Sequence, residues 1–120
     1  MSDFKSKKIK EEISYNDFKK VDIRVGKILS VIDIGESDNL VKLTVDFGDF
    51  KRLIVAAIKN EREDPKEIEG LQALFIVNLK PKEMFGVKSH GMLFDLGYEN
   101  EINPVLAVPN KEVPNGTCAG

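Results

Sequence analysis

Tryptophan is absent from this 120-residue chain, and cysteine and histidine occur once each, at Cys118 and His90. A single cysteine excludes an internal disulfide and a thiolate metal cluster, and it fits a reducing compartment. A zinc site would lack enough soft ligands. There is no Gly-rich phosphate loop, and an acid pair such as Asp46 with Asp49 flanks a turn instead of facing a partner across a pocket. These gaps predict a protein that is not an enzyme and takes no cofactor. No run approaches the roughly 20 apolar residues of a membrane helix, and the start MSDFKSKKIK lacks the apolar segment of a secretory signal. The expectation is a cytoplasmic protein without membrane insertion.

What is present suits one compact domain: 42% hydrophobic and 32% charged residues over 120 positions. With 18 Lys+Arg against 20 Asp+Glu the formal charge is −2, so the whole molecule does not attract a polyanion. Any nucleic-acid binding must come from a local patch.

The first dozen residues are rich in Lys and Glu, with Phe4, Ile9 and Ile13 spaced as in a short amphipathic helix that docks on its own domain or on a second copy. From Val21 the period becomes two, with Val21, Ile23 and Val25 against Asp22, Arg24 and Gly26. The apolar phase then shifts, and a glycine at that point predicts a bulge or bend. Turn chemistry at Gly35 to Asn39 leads to alternation over Val41, Leu43, Val45 and Phe47, a hairpin pattern. After Gly48-Asp49, the apolar run from Leu53 to Ile58 suits a strand covered on both faces. Asp64 as cap, Pro65 at the first helical position and Gly70 as terminator predict one helical turn. A fourth strand runs through Ala73, Phe75, Val77 and Leu79, a fifth through Met92, Leu93, Phe94 and Leu96, and a short edge strand lies between Pro104 and Pro109.

Three strands, a helical insert and two more strands match a five-stranded Greek-key OB-fold barrel, an all-β class. Residues 1–14 form the expected N-terminal helical extension, and residues 15–120 the OB-fold domain with its C-terminal extension.

The segment Lys80-Pro81-Lys82-Glu83-Met84-Phe85-Gly86-Val87-Lys88 is read as a loop, with three lysines against one acid. On an OB barrel this loop borders the ligand groove, so Lys80, Lys82 and Lys88 face whatever is bound. Asn78 and Ser89 add hydrogen-bonding groups. The residues alone leave open whether these lysines meet a ligand or are solvated, whether Met92 is ordinary core, and whether Arg24 is a surface charge or a groove contact. His90 is read as a loop residue offering a ring face or a hydrogen bond, and Cys118 as a tail thiol.

Taken together, Asp17-Phe18-Lys19-Lys20-Val21-Asp22-Ile23-Arg24-Val25-Gly26, Val45-Asp46-Phe47-Gly48, Arg52-Leu53-Ile54-Val55, Asn78-Leu79-Lys80-Pro81 and Ser89-His90-Gly91-Met92 resemble the tRNA-binding domain family. Its members include the C-terminal domains of methionyl-tRNA synthetases, cytokine-like tRNA-binding polypeptides and CsaA-type export chaperones. The resemblance implies a non-enzymatic barrel that recognises tRNA by shape, homodimerises and assists a methionyl-tRNA synthetase in trans. It implies Asn78, Lys80, Lys82, Ser89 and Met92 as groove residues, with Arg52 on a neighbouring strand. The alternative it offers is a CsaA-type chaperone for unfolded export precursors, with Met84, Phe85 and Met92 as its apolar surface. The N-terminal segment and the region after Gly97 are the expected dimer contacts.

Overall fold

The computed structural model describes residues 4–120. Its strands are β1 (Ile23–Asp33), β2 (Val41–Asp46), β3 (Lys51–Ala56), β4 (Gln72–Ile76), β5 (Lys82–Met84), β6 (Val87–Ser89), β7 (Met92–Leu93), β8 (Asp95–Leu96), β9 (Val105–Leu106) and β10 (Cys118–Ala119). The only α-helix among the described residues is α1 (Tyr15–Phe18). The main sheet is antiparallel in the order β3-β2-β1-β4-β7, with β10 on β1, and it curls into the expected OB-type barrel.

One long strand organises the barrel. β1 pairs with β4 through residues 23–27 and with β2 through residues 27–33, with a register break between Ile28 and Ser30. A bulge bends a strand and increases its twist, which lets a single strand serve two halves of a barrel. Beyond the bulge β4 no longer covers the outer edge of β1, and the chain around the 3-10 turn Pro65–Ile68 takes over. Gly70 N donates to Ile28 O (2.7 Å) and Ile28 N to Leu71 O (2.9 Å), while Val31 N donates to Glu69 Oε2 (2.9 Å) and Lys66 Nζ to Val31 O (2.8 Å). The backbone groups of Ile28 and Val31 on this edge are thereby satisfied, as buried residues require. The turn begins as the sequence suggests, with the Asp64 side chain accepting from Lys66 N, and its buried Ile68 closes this end of the core.

Gly26 plays a different part from the one expected. The bulge lies beyond it, and a β-carbon at Gly26 would sit 2.5 Å from Val45 Cγ1 and 2.7 Å from Phe47 Cε1. The glycine is required because Phe47, itself edge-on to Phe75 at 5.5 Å, packs directly over it. Around that aromatic pair the core gathers alternate residues of β2 (Val41, Leu43, Val45) with Ile28, Val31, Ile54, Ala73 and Leu93. Ile54, Val55 and Ala56 are buried in succession, as a doubly covered strand demands.

Three expectations are corrected. Residues 4–14 are exposed and carry no helix, so the expected N-terminal helix over 1–14 is not formed there, and its first three residues lie outside the described region. An isolated short amphipathic segment has too few hydrogen bonds to offset nucleation unless it packs, and helix begins only where Ser14 Oγ accepts from Asp17 N. The segment 80–88 is not a loop: β5 and β6 form a hairpin whose central residues Phe85 and Gly86 both have positive φ, the turn geometry that follows strand twist. The fifth strand breaks at Phe94, leaving β7 on β4 and β8 on β9.

Candidate nucleic-acid interface

The barrel closes between β3 and the end of β6. Val55 N donates to Ser89 Oγ at 3.0 Å, and His90 N donates to Leu53 O at 2.9 Å. Ser89 is only 4% exposed, so its hydroxyl stands in for a backbone acceptor at the seam and does not face solvent. Arg52 spans the same seam: its Nη1 donates to Val77 O (2.9 Å) at the end of β4 and to His90 O (3.3 Å). No carboxylate pairs with Arg52 among the described residues.

Beside this seam lies a cleft of about 500 Å³, lined by Asp22, Arg24, Phe50, Arg52, Asn78, Leu79, Lys80, Pro81 and His90 together with Val77. Phe50 forms its aromatic wall. The ring stacks on Phe47 at 5.1 Å and carries the Arg52 guanidinium 4.9 Å and the Arg24 guanidinium 5.9 Å from its centroid. The two arginines differ electrostatically. Arg24 donates through Nε and Nη2 to both oxygens of Asp22 (2.9 and 3.0 Å), a fork that raises its pKa above the ordinary value. Arg52 meets only carbonyl oxygens, so its charge remains available. Burial, reinforced by the positive charges of Arg52 and Lys88, lowers the His90 pKa, so the imidazole is neutral at pH 7. The cleft therefore joins a fixed cation at its floor, Lys80 at its rim and apolar or aromatic walls.

The expected site residues separate. Arg52, Asn78 and Lys80 share the cleft. The Asn78 amide is engaged at both ends, with Oδ1 accepting from Asp22 N (2.9 Å) and Nδ2 donating to Lys20 O (2.6 Å), so it secures the entry to β1. Lys82 pairs with Ser89 across the hairpin and Lys88 with Glu83, which puts the two exposed lysines on opposite faces of the hairpin. Neither lines the cleft. Met92 lies elsewhere, half-exposed on a groove of about 680 Å³ with Val55, Ile58, Phe94, Leu96 and Tyr98. Sequence reasoning does not bring Asp22, Phe50 or His90 to the site, and it reads Arg24 as either a surface charge or a groove contact. For Arg24 a signal exists: the chain has only three arginines, Arg24, Arg52 and Arg62, and Arg24 stands on a strand of alternating apolar residues.

Among the described residues no helix is long and apolar enough to cross a membrane, and no group of three or more His, Cys, Asp and Glu side chains could hold a metal ion.

The geometry can be set beside known proteins. A methionine–tRNA ligase of Archaeoglobus fulgidus is 44% identical over 108 residues, covering 90% of this chain and 16% of the ligase. The chain thus spans about a sixth of the length of such relatives. Among solved structures, a MetRS related protein from Pyrococcus horikoshii superposes with a TM-score of 0.85 at 36% identity, covering 92% of this chain and 100% of that one. The chaperone CsaA of Bacillus anthracis superposes with a TM-score of 0.79 at 28% identity, with the same coverages of 92% and 100%. The model of the tRNA binding domain family matches residues 23–118, from the first residue of β1 to the first of β10. By fold, by sequence and by the span of that match, the chain belongs to the tRNA-binding domain family.

Proposed function

We propose that this protein binds tRNA through the Arg52 and Lys80 cleft, without catalysis and in the cytoplasm, and that it assists a methionyl-tRNA synthetase in trans. The observation that carries this reading is Arg52, a half-buried guanidinium held by two carbonyl oxygens and, among the described residues, without a carboxylate partner, in a chain of net charge −2. Phosphate contacts position an RNA and supply salt-dependent affinity, and a preorganised guanidinium with a lysine at the rim suits that role. Lys82 and Lys88 stand on opposite faces of the hairpin, so both add contacts only to an RNA that straddles it, and one of them to an RNA that lies on a single face. Asn78 and Ser89 contribute by holding the cleft walls, and Met92 belongs to the separate apolar groove.

That groove supports the homodimer. Its exposed Met92, Phe94, Leu96 and Tyr98 form a contiguous apolar patch continuous with the region after Gly97, and Lys10 of the N-terminal segment lines its edge. Titration of bulk tRNA at several salt concentrations tests the main reading. Lys80→Ala should weaken binding and flatten the log–log salt dependence by about one unit. An unchanged slope would remove Lys80 from the interface. Sedimentation showing a monomer at micromolar concentration would remove the dimer.

The same apolar groove favours a second reading, a CsaA-type chaperone that holds unfolded export precursors. Binding of an unfolded precursor, with no binding of tRNA at low salt, would establish it in place of the first.

A further inference from the structure

Two properties of the cleft go beyond what contact with a regular RNA helix requires. Its floor cation is already fixed: Arg52 Nη1 is bonded to Val77 O and His90 O, while Nε and Nη2 have no protein acceptor among the described residues. On the side of Lys80 its wall is apolar or aromatic, with Leu79 and Pro81 on the strand exit and the His90 ring alongside, while Asp22, Arg24 and Asn78 line the rest. The cleft is open to solvent, and its volume of about 500 Å³ is of the size that accommodates a small molecule. A paired A-form helix is convex and keeps its base faces stacked inside, so its phosphates reach a rim but nothing fills the concavity behind it. A nucleotide freed from pairing brings both a phosphate and a π-face.

The Arg24 side of the cleft does not attract the phosphate, because Asp22 occupies the Arg24 fork. Arg52 and Lys80 are therefore the anion seat, and the walls next to it are the surface for the base.

We infer that the cleft encloses a single unpaired nucleotide of the bound RNA, with its phosphate on the Arg52 Nε and Nη2 donors and Lys80, and its base against Leu79, Pro81 and the His90 ring. This rests on the tRNA-binding reading and narrows it: the cleft selects a bulged or looped nucleotide over a paired one. The neutral imidazole serves here as a ring face, with its charge suppressed by burial and by neighbouring cations.

The test uses the full chain and three probes: bulk tRNA, a fully paired RNA duplex, and the same duplex with one bulged nucleotide. His90 is the chain's only histidine, so its ring proton signals report on the cleft without any substitution. The bulged duplex should bind about tenfold more tightly than the paired one, in line with the stacking of one base. Of the two duplexes only the bulged one should move the His90 signals upfield, and bulk tRNA should move them in the same direction. Arg52→Lys should abolish the difference between duplexes. Leu79→Ala, at a half-exposed wall position outside the barrel-closing bonds, should reduce it in a protein that still folds. Equal affinities for the two duplexes with an unmoved His90, while bulk tRNA still binds, would overturn the inference and leave the tRNA reading standing. Failure of the wild-type protein to bind bulk tRNA would overturn both.

Discussion

The Ser89 hydroxyl accepts the Val55 amide at 3.0 Å from 34 residues away in the chain, and the barrel seam depends on it. A backbone amide buried at a seam has no water to turn to, so removing its acceptor costs the desolvation of the donor as well as the bond. Ser89→Ala should lower unfolding stability by about 1–3 kcal/mol, read as a lower urea midpoint with an unchanged slope. A midpoint equal to that of the wild type would show that the seam does not need the hydroxyl.

Asn78 ties the end of β4 to the entry of β1 through Lys20 O and Asp22 N. Because both bonds lie at the exposed surface, Asn78→Ala should cost only about 1 kcal/mol. Hydrogen exchange at the Asp22 amide should accelerate while exchange at β2 stays as it was. Uniform acceleration over both strands would mean that the bond does more than secure the entry.

Gly26→Ala places a methyl group against Val45 and Phe47 at contact distances that require movement. The expected loss is about 1–3 kcal/mol from overpacking. Adding Val45→Ala should recover part of that loss, and a double variant with strictly additive destabilisation would count against the contact.

Asp22 holds the Arg24 guanidinium at both oxygens. Asp22→Asn removes one negative charge from the cleft and frees Arg24, so tRNA affinity should rise and the salt dependence should steepen by about one unit. Weaker binding would show that Asp22 itself contacts the ligand.

Glu61 and Asp95 contribute a loss of stability as the pH rises. Burial first, then the charge of Asp95, raises the Glu61 pKa from 4.5 to about 7, and burial raises that of Asp95 as well. Both Glu61 carboxylate oxygens are buried without a hydrogen-bond partner. The folded state therefore holds protons that the unfolded chain releases, so this contribution to stability is complete below about pH 4.5 and is lost as the pH rises to about 7. Glu61→Gln should raise the urea midpoint at pH 8 and flatten its decline between pH 5 and pH 8. An identical pH profile in the variant would exclude Glu61 as the source.

Much of the architecture is legible in sequence because its causes are local. Alternation over Val41 to Phe47 marks a strand with one buried face, and Asp64-Pro65 with Gly70 marks a single turn, since caps and turn residues act within a few positions. The β5–β6 hairpin was missed because its signal, Phe85-Gly86, is an unusual pair for a turn with two positive φ values. Strand β10 was missed because two residues after a tail interrupted by Pro104, Pro109 and Pro114 have no period to read.

The candidate site was legible only in part. Lys80 stands out by charge and sits at the cleft rim, but Ser89 and Asn78 attract attention as polar residues and turn out to spend their donors and acceptors on the backbone. Composition and periodicity by themselves determined the order of β1 to β4 with the 3-10 turn before β4, the buried face of β2 and the presence of one lysine-rich segment, because these depend on neighbours two to four positions apart. Only the tertiary structure decided which cations are neutralised. Asp22 pairs with Arg24 while Arg52 meets carbonyl oxygens, and that division follows from strand register and barrel closure between residues far apart in the chain.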